Sequence, residues 1–270
     1  MAAEKQKNAG PALRLSLLVI LGSGLLGAGI YSAQTFERFL VRDPRFEVSG
    51  PRDYGEESPD LRVEGIHYAS RAKIDQIFGG DFGRSLYLLP IAERRDALKK
   101  VSWVRDATVR RIWPNRVYVR IAEREPAAFI PVAYGEVSRY ALIDAEGVIL
   151  DPPAKAQFNL PVLQGIQKAD TQEMRGQRVR RMQRMMHEIG ALGNGISEVD
   201  VSDLDNLKVR LMMNGQSFLL ILGDSEFAGR LQNFTAHFQE IREHVPWATR
   251  FDLRLKSRVT AIGETPGVQQ

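Results

Sequence analysis

The stretch VSWVRDATVRRIWPNRVYVRIAERE, residues 101–125, decides how the chain is read. Its apolar residues are interleaved with arginines, a Trp-Pro-Asn break divides it, and no catalytic group stands out. From Trp103 to Trp113 the pattern is extended, with Ala107 and Val109 on one side; Pro114-Asn115 supplies a turn; and Arg116 to Glu123 sets Val117, Val119 and Ile121 against Arg116, Tyr118 and Arg120. Because successive side chains of a strand point to opposite faces, this is a hairpin with one dry face. Its phase slips at Arg110-Arg111 before Ile112, as a β-bulge there would produce.

Working upstream, DLRVEG at 60–65 reads as a short strand, and Ser70 is placed to cap a helix carrying Ile74, Ile77 and Phe78 until Gly79-Gly80 stops it. Pro90 opens a second helix, PIAERRDALKK, with lysines at the end where the helix dipole favours them. The order is strand, helix, helix, strand, strand. Before it, PRDYGEESPD at 51–60 reads as a linker. Downstream of Pro126, RYALIDAEGVIL and NLKVRLMMNGQSFLLIL read as hairpins, the second around Asn214-Gly215. Helices are expected over about 172–192, with Val179, Met182, Met186 and Ile189 inward, and over 225–244 behind an Asp224-Ser225 cap. An extended segment at 249–262 closes the domain.

Between Arg14 and Glu37 lie 22 uncharged residues, LSLLVILGSGLLGAGIYSAQTF. As a helix they cover roughly 33 Å, enough for a hydrocarbon core of about 30 Å. Such a length favours a retained anchor over a cleaved signal. Lys5, Lys7 and Arg14 precede the span, so the positive-inside rule leaves the tail in the cytoplasm and residues 38–270 outside. Small residues at Ser23/Gly27, Gly24/Ala28 and Gly29/Ala33 would let another membrane helix approach.

The composition excludes several classes of chemistry. With no cysteine among 270 residues there are no disulfides, thiolate zinc sites or Cys nucleophiles. His67, His187, His237 and His244 show no metal-ligand spacing, and GxSxG, GxGxxG and GKS/T loops are absent. Gly223-Asp224-Ser225 resembles an esterase nucleophile block but has no Asp-x-x-His after it. The net charge of +4 is mild, and no aromatic platform interleaves the arginines at 105–124 or 175–188, so nucleic acid is not an expected partner. No catalytic, metal-binding or cofactor-binding residue is assigned.

Read together, these residues resemble the bacterial cell-division proteins of the FtsQ/DivIB family. The resemblance rests on Trp103-Val104, Ala107-Thr108-Val109, Arg111 with Pro114, Glu123-Arg124-Glu125-Pro126 with Ala128, Leu142-Ile143-Asp144 with Gly147, Leu160-Pro161 with Gly165, and Asp252-Leu253-Arg254. It implies an α+β protein: a cytoplasmic tail at 1–14, a transmembrane helix at 15–36, a linker at 37–60, a POTRA domain of order β-α-α-β-β at 61–125, a mostly antiparallel β-domain with flanking helices at 126–263, and a tail at 264–270. It also implies a non-catalytic scaffold at the division septum, bringing FtsB/FtsL-type coiled-coil proteins to other divisome membrane proteins and restraining septal peptidoglycan synthesis. The partner-binding residues it implies are Arg254, Leu255, Lys256, Ser257, Arg258, Val259 and Thr260, on a strand able to pair with an extended partner. Ser102 stands where the family usually has Pro, and Leu255 where an aromatic residue often stands. The charges of Arg254, Lys256 and Arg258 admit two readings, selection for an acidic partner and protection of a bare edge. A POTRA-bearing envelope chaperone would show tandem POTRA units or a terminal barrel, and a Ser225-dependent envelope hydrolase would need a histidine partner.

Overall fold

The computed structural model describes residues 10–263 except 52, 54, 55, 135, 136, 154, 155, 168, 256 and 257, so the expected terminal tail at 264–270 and most of that at 1–14 lie outside it. Two compact units divide at Ala122/Glu123. The first begins with α1, Gly10–Arg42, whose stretch from Ser16 is apolar and long enough to cross a membrane. It overruns the expected 15–36 because Glu37 and Arg38 bear charge without breaking helical backbone.

Behind it come β1 (Leu61–Glu64), α2 (Arg71–Phe78), α3 (Ile91–Leu98), β2 (Val104–Ile112) and β3 (Arg116–Glu123), in the expected order. Ser70 caps α2 by accepting the Lys73 N–H, satisfying a donor that the first turn leaves free. The sheet order is β1-β3-β2, with β1 parallel to β3 and Leu61 opposite Val117. Parallel pairing of β1 and β3 requires a long crossover, which α2 and α3 provide. The two helices cover the dry face: Ile74, Phe78 and Leu98 are buried with Val104, Ala107, Val109, Val117, Val119 and Ile121.

One detail of the hairpin differs from its sequence reading. The burial alternation breaks between Val104 and Ala107, and beyond Val109 it continues unbroken, leaving Ile112 exposed and Arg111 turned inward. Arg111 takes that position because its guanidinium reaches the Leu89 carbonyl at 2.6 Å, a bond a buried aliphatic side chain could not make. The Trp113-Pro114 peptide is cis.

The second unit contains β4 (Pro126–Tyr134), β5 (Val137–Asp144), β6 (Ile149–Leu150), β7 (Val162–Gln164), α4 (Gln172–Ile189), β8 (Ile196–Asp200), β9 (Leu207–Met213), β10 (Gln216–Gly223), α5 (Phe227–Ala236), α6 (Phe238–His244), β11 (Arg250–Asp252) and β12 (Thr260–Ala261). Its nine strands run β12-β11-β10-β9-β8-β7-β4-β5-β6. Antiparallel pairs predominate, but β4–β7, β7–β8 and β10–β11 are parallel. Asn214 and Gly215 both have positive φ, 53° and 75°, as a tight β9–β10 turn requires. Val179, Met182, Met185 and Ile189 of α4 and Phe227, Leu231 and Phe234 of α5 are buried against the sheet, with Met186 only partly so.

Two further expectations are corrected. Asp224 and Ser225 do not cap the helix after β10: Glu226 holds the cap position in left-handed conformation at φ 54°, with no side-chain cap bond. Instead Glu188, at the end of α4, accepts the Ala228 N–H at 3.3 Å, a cap from a distant part of the chain. The expected segment 249–262 is also not one strand. Leu253 is buried just after β11, and the chain returns antiparallel as β12, with Phe251 opposite Ala261.

Phe218, Phe234 and Phe251 are fully buried, with the Phe234 and Phe251 centroids 5.2 Å apart and those of Phe218 and Phe251 6.2 Å apart. Phe251→Ala removes the only large core side chain of a three-residue strand, and a loss of about 3–5 kcal/mol is expected in urea unfolding of the full chain.

Candidate interaction surface

At the entrance of the second unit, the residues that carry the family resemblance form a charged knot. Arg124 lies just before β4, and its Nη1 donates to Asp144 Oδ2 at 2.7 Å and Glu146 Oε2 at 2.6 Å. Asp144 ends β5 and is buried; its Oδ1 accepts the N–H groups of Glu146 and Val148 at 3.0 and 2.8 Å. Burial works against the charge of Arg124, yet Asp144 and Glu146 hold its pKa above the ordinary guanidinium value. Gly147 completes the turn at φ +82°, where a Cβ would come within 2.2 Å of the Gln172 carbonyl oxygen. Only glycine lets this turn lie against the start of α4. The knot is structural, because its polar groups bind one another.

Ser225 has no catalytic surroundings. Its Oγ donates to Asp224 Oδ1 at 2.9 Å, a bond that lowers the Asp224 pKa. The Nδ1 atoms of His237 and His244 lie 3.0 and 2.9 Å from the Asn233 and Glu240 carbonyls of their own helical turns. Among the described residues no group of carboxylates and histidines could hold a metal ion.

The sheet edge formed by β12 has different chemistry. Ile262 donates its N–H to the Arg250 carbonyl at 2.9 Å, and Thr260 and Ala261 pair with Asp252 and Phe251. Neighbouring residues of a strand turn their N–H and C=O to opposite sides, so with Ile262 facing β11, Ala261 turns both groups away from it, toward an edge that no strand of the described residues covers. A 400 Å³ cavity lies beside this edge, lined in part by His237, Ile241, Val245, Val259 and Ala261.

Of the residues expected to bind a partner, Val259 and Thr260 lie at this edge, Val259 partly buried against the core and Thr260 exposed. Leu255 is 61% exposed in the connection between β11 and β12, and Arg258 is exposed. Lys256 and Ser257 lie outside the described residues. Arg254 folds back on Asp252 through a fork, Nε to Oδ1 at 3.0 Å and Nη2 to Oδ2 at 2.6 Å. Its charge is therefore committed within the chain. Ala261, one residue beyond the expected partner-binding set, carries the outward backbone groups; only the register of β12 reveals this.

Comparison with known proteins agrees with this architecture. Residues 59–124 match the model described as POTRA domain, FtsQ-type, and residues 133–254 match that described as cell division protein FtsQ/DivIB, C-terminal. A POTRA domain behind an apolar helix, continued by a mixed-sheet domain, defines the class. Among similar proteins, the cell division protein FtsQ of Koribacter versatilis is 31% identical over 251 residues, covering 91% of this chain and 67% of that one. That of Novosphingobium aromaticivorans is 30% identical over 209 residues, covering 77% and 61% respectively. That of Bordetella pertussis is 43% identical over 63 residues, 23% of each chain. The chain belongs to the FtsQ/DivIB family. It is a non-catalytic protein of cell division, and membership implies interaction with other division proteins.

Asp144→Ala strands Arg124 in a buried site with Glu146 alone, and a stability loss of about 3 kcal/mol is expected in urea titration. The Asp252 carboxyl is held below its usual range, chiefly by its hydrogen bond from Arg254. The stabilisation it contributes is therefore complete above the ordinary aspartate pKa and is lost as pH falls through the lowered folded value. Carbon-detected NMR titration should find Asp252 still ionised where an unpartnered aspartate is half protonated, and Arg254→Ala should raise its pKa, the bond from the residue 254 N–H remaining.

Proposed function

We propose that the chain is a divisome scaffold in the cytoplasmic membrane that recruits FtsB/FtsL-type proteins to the septum and links them to control of septal peptidoglycan synthesis. In this reading residues 15–36 span the bilayer with the basic tail in the cytoplasm, and residues 37–60 lead into the extracytoplasmic domains. Residues 61–125 act in recruitment near the membrane, and residues 126–263 bind partners. The observation that carries the reading is the edge at β12, which no strand of the described residues covers and toward which the Ala261 N–H and C=O face. An extended segment of the partner adds to this edge, backbone bonds supply affinity, and side chains on alternate positions supply selection. Leu255 and Arg258, exposed beside the edge, belong to the same surface, and Lys256 and Ser257 are assigned to partner binding from the sequence. Of the three charges once available to select an acidic partner, Arg254 is neutralised by Asp252, so Lys256 and Arg258 carry that task.

The register chooses the test. Proline at Thr260 would remove a donor facing β11, whereas proline at Ala261 removes the donor facing outward. Ala261→Pro should weaken binding of a soluble FtsB/FtsL-type complex by at least about tenfold in calorimetric titration, the equivalent of one backbone hydrogen bond of roughly 1.4 kcal/mol. Unchanged affinity would rule out strand addition at this edge.

A further inference from the structure

A ladder of aromatic rings joins the end of the apolar helix to the tip of the POTRA hairpin. The rings of Phe36 and Phe39 in α1 lie 6.5 Å apart, Phe46 meets Phe39 edge-on at 5.5 Å, and Trp113 meets Phe46 edge-on at 5.5 Å. The guanidinium of Arg45 sits over the Phe39 ring at 5.6 Å. These contacts are fixed by hydrogen bonds on both sides. Ser85 Oγ donates to the Leu40 carbonyl at 2.6 Å, and Val48 N–H donates to the Arg84 carbonyl at 3.0 Å. Buried Asp60 accepts the Ser49 N–H at 2.8 Å and Asn115 Nδ2 at 3.0 Å, tying the hairpin turn to the chain leaving the helix.

Despite this network, the outer sides of the rings are bare. Ile112 and Trp113 at the hairpin tip are 46% and 49% exposed, and Phe36 and Phe39 are also exposed. Depth follows from helix geometry. Phe36 is the last residue of the uncharged span, and Phe39 lies three residues on, about 4.5 Å along the axis. The headgroup layer is roughly 5–8 Å thick on each side of the hydrocarbon, so Phe39 falls within it, and Trp113 follows it through two ring contacts of 5.5 Å each. Arg38, Arg42 and Arg45 at the helix exit and Arg110 and Arg116 near the hairpin turn are exposed. Of the acids nearby, Glu37, Asp43 and Glu47, Asp43 is already bound by Arg45 through Nη2 at 2.8 Å. Its pKa is accordingly lowered to about 2. Aromatic rings with arginines at headgroup depth match an anionic lipid interface.

We infer that the tip of the POTRA hairpin, Ile112, Trp113 and Pro114, is a membrane-surface anchor that sets Trp113 among anionic lipid headgroups beside the helix exit. The inference rests on α1 spanning the bilayer. A membrane-bound tip fixes the orientation of the POTRA domain, so the helix does not act as a free tether.

Trp113 reports its own position. The full chain is placed in nanodiscs of phosphatidylglycerol and of phosphatidylcholine brominated near the headgroup, and tryptophan emission is compared with that in unbrominated discs. Wild type should lose about a third of its emission, one of three tryptophans lying in the interface, and Trp113→Phe should lose almost none. Leu21→Trp in the Trp113→Phe background is the control for the span, read with lipid brominated deep in the acyl chain. Equal quenching of wild type and Trp113→Phe, with the control quenched, overturns the anchor and leaves the span standing. An unquenched control overturns the span and the anchor with it.

Discussion

The edge that this protein offers depends on one aromatic contact in the core. Phe251 is the inward residue of a strand only three residues long, and its ring meets Phe234 of α5 and Phe218 of β10. Three ladder positions against β10 could not hold β11 by themselves, since short strand pairings are marginal in water. Burial of that ring fixes β11, β11 templates β12, and β12 sets which backbone groups face outward. Phe238 extends the cluster, its ring 5.2 Å from Phe218, so α6 is held by the same set of rings. The outward face of β12 is thus set by contacts buried in the core.

The division of labour between polar and apolar residues is consistent in both units. Apolar burial builds the sheets, and charged residues with several donors or acceptors close the places where chain direction changes. Arg124 with Asp144 does this before β4, Arg94 with buried Asp81 does it between α2 and α3 at 2.6 Å, and Arg254 with Asp252 does it after β11. Exposed ion pairs contribute little, but those with a buried carboxylate are costly to break because the remaining charge has no water. Of the residues that carry the family resemblance, Arg124, Asp144, Asp252 and Arg254 belong to these closures.

Much of this was legible in the sequence, because local periodicity and turn chemistry dominate the first unit and the β9–β10 hairpin. Val117, Val119 and Ile121 alternate without interruption, Ser70 caps the helix it precedes, and Asn214-Gly215 makes the turn its chemistry favours. What escaped reading depends on distant partners. Arg111 turns inward because of the Leu89 carbonyl, α5 is capped by Glu188 from another helix, and the parallel partners of β7 and β11 are remote in sequence. The terminal segment was legible as extended chain, but the break at Leu253 and the outward turn of Ala261 were not. Both follow from register, which side-chain alternation alone cannot fix for so short a strand.

The central claim is that a partner completes the sheet beyond β12, and amide hydrogen exchange resolved by residue tests it directly. In the protein alone the Ala261 amide should exchange rapidly while that of Ile262, bonded to the Arg250 carbonyl, is protected. Adding a soluble FtsB/FtsL-type complex should protect Ala261 and leave Ile262 unchanged. Saturating binding with Ala261 still in rapid exchange would contradict the account and place the partner elsewhere on the domain.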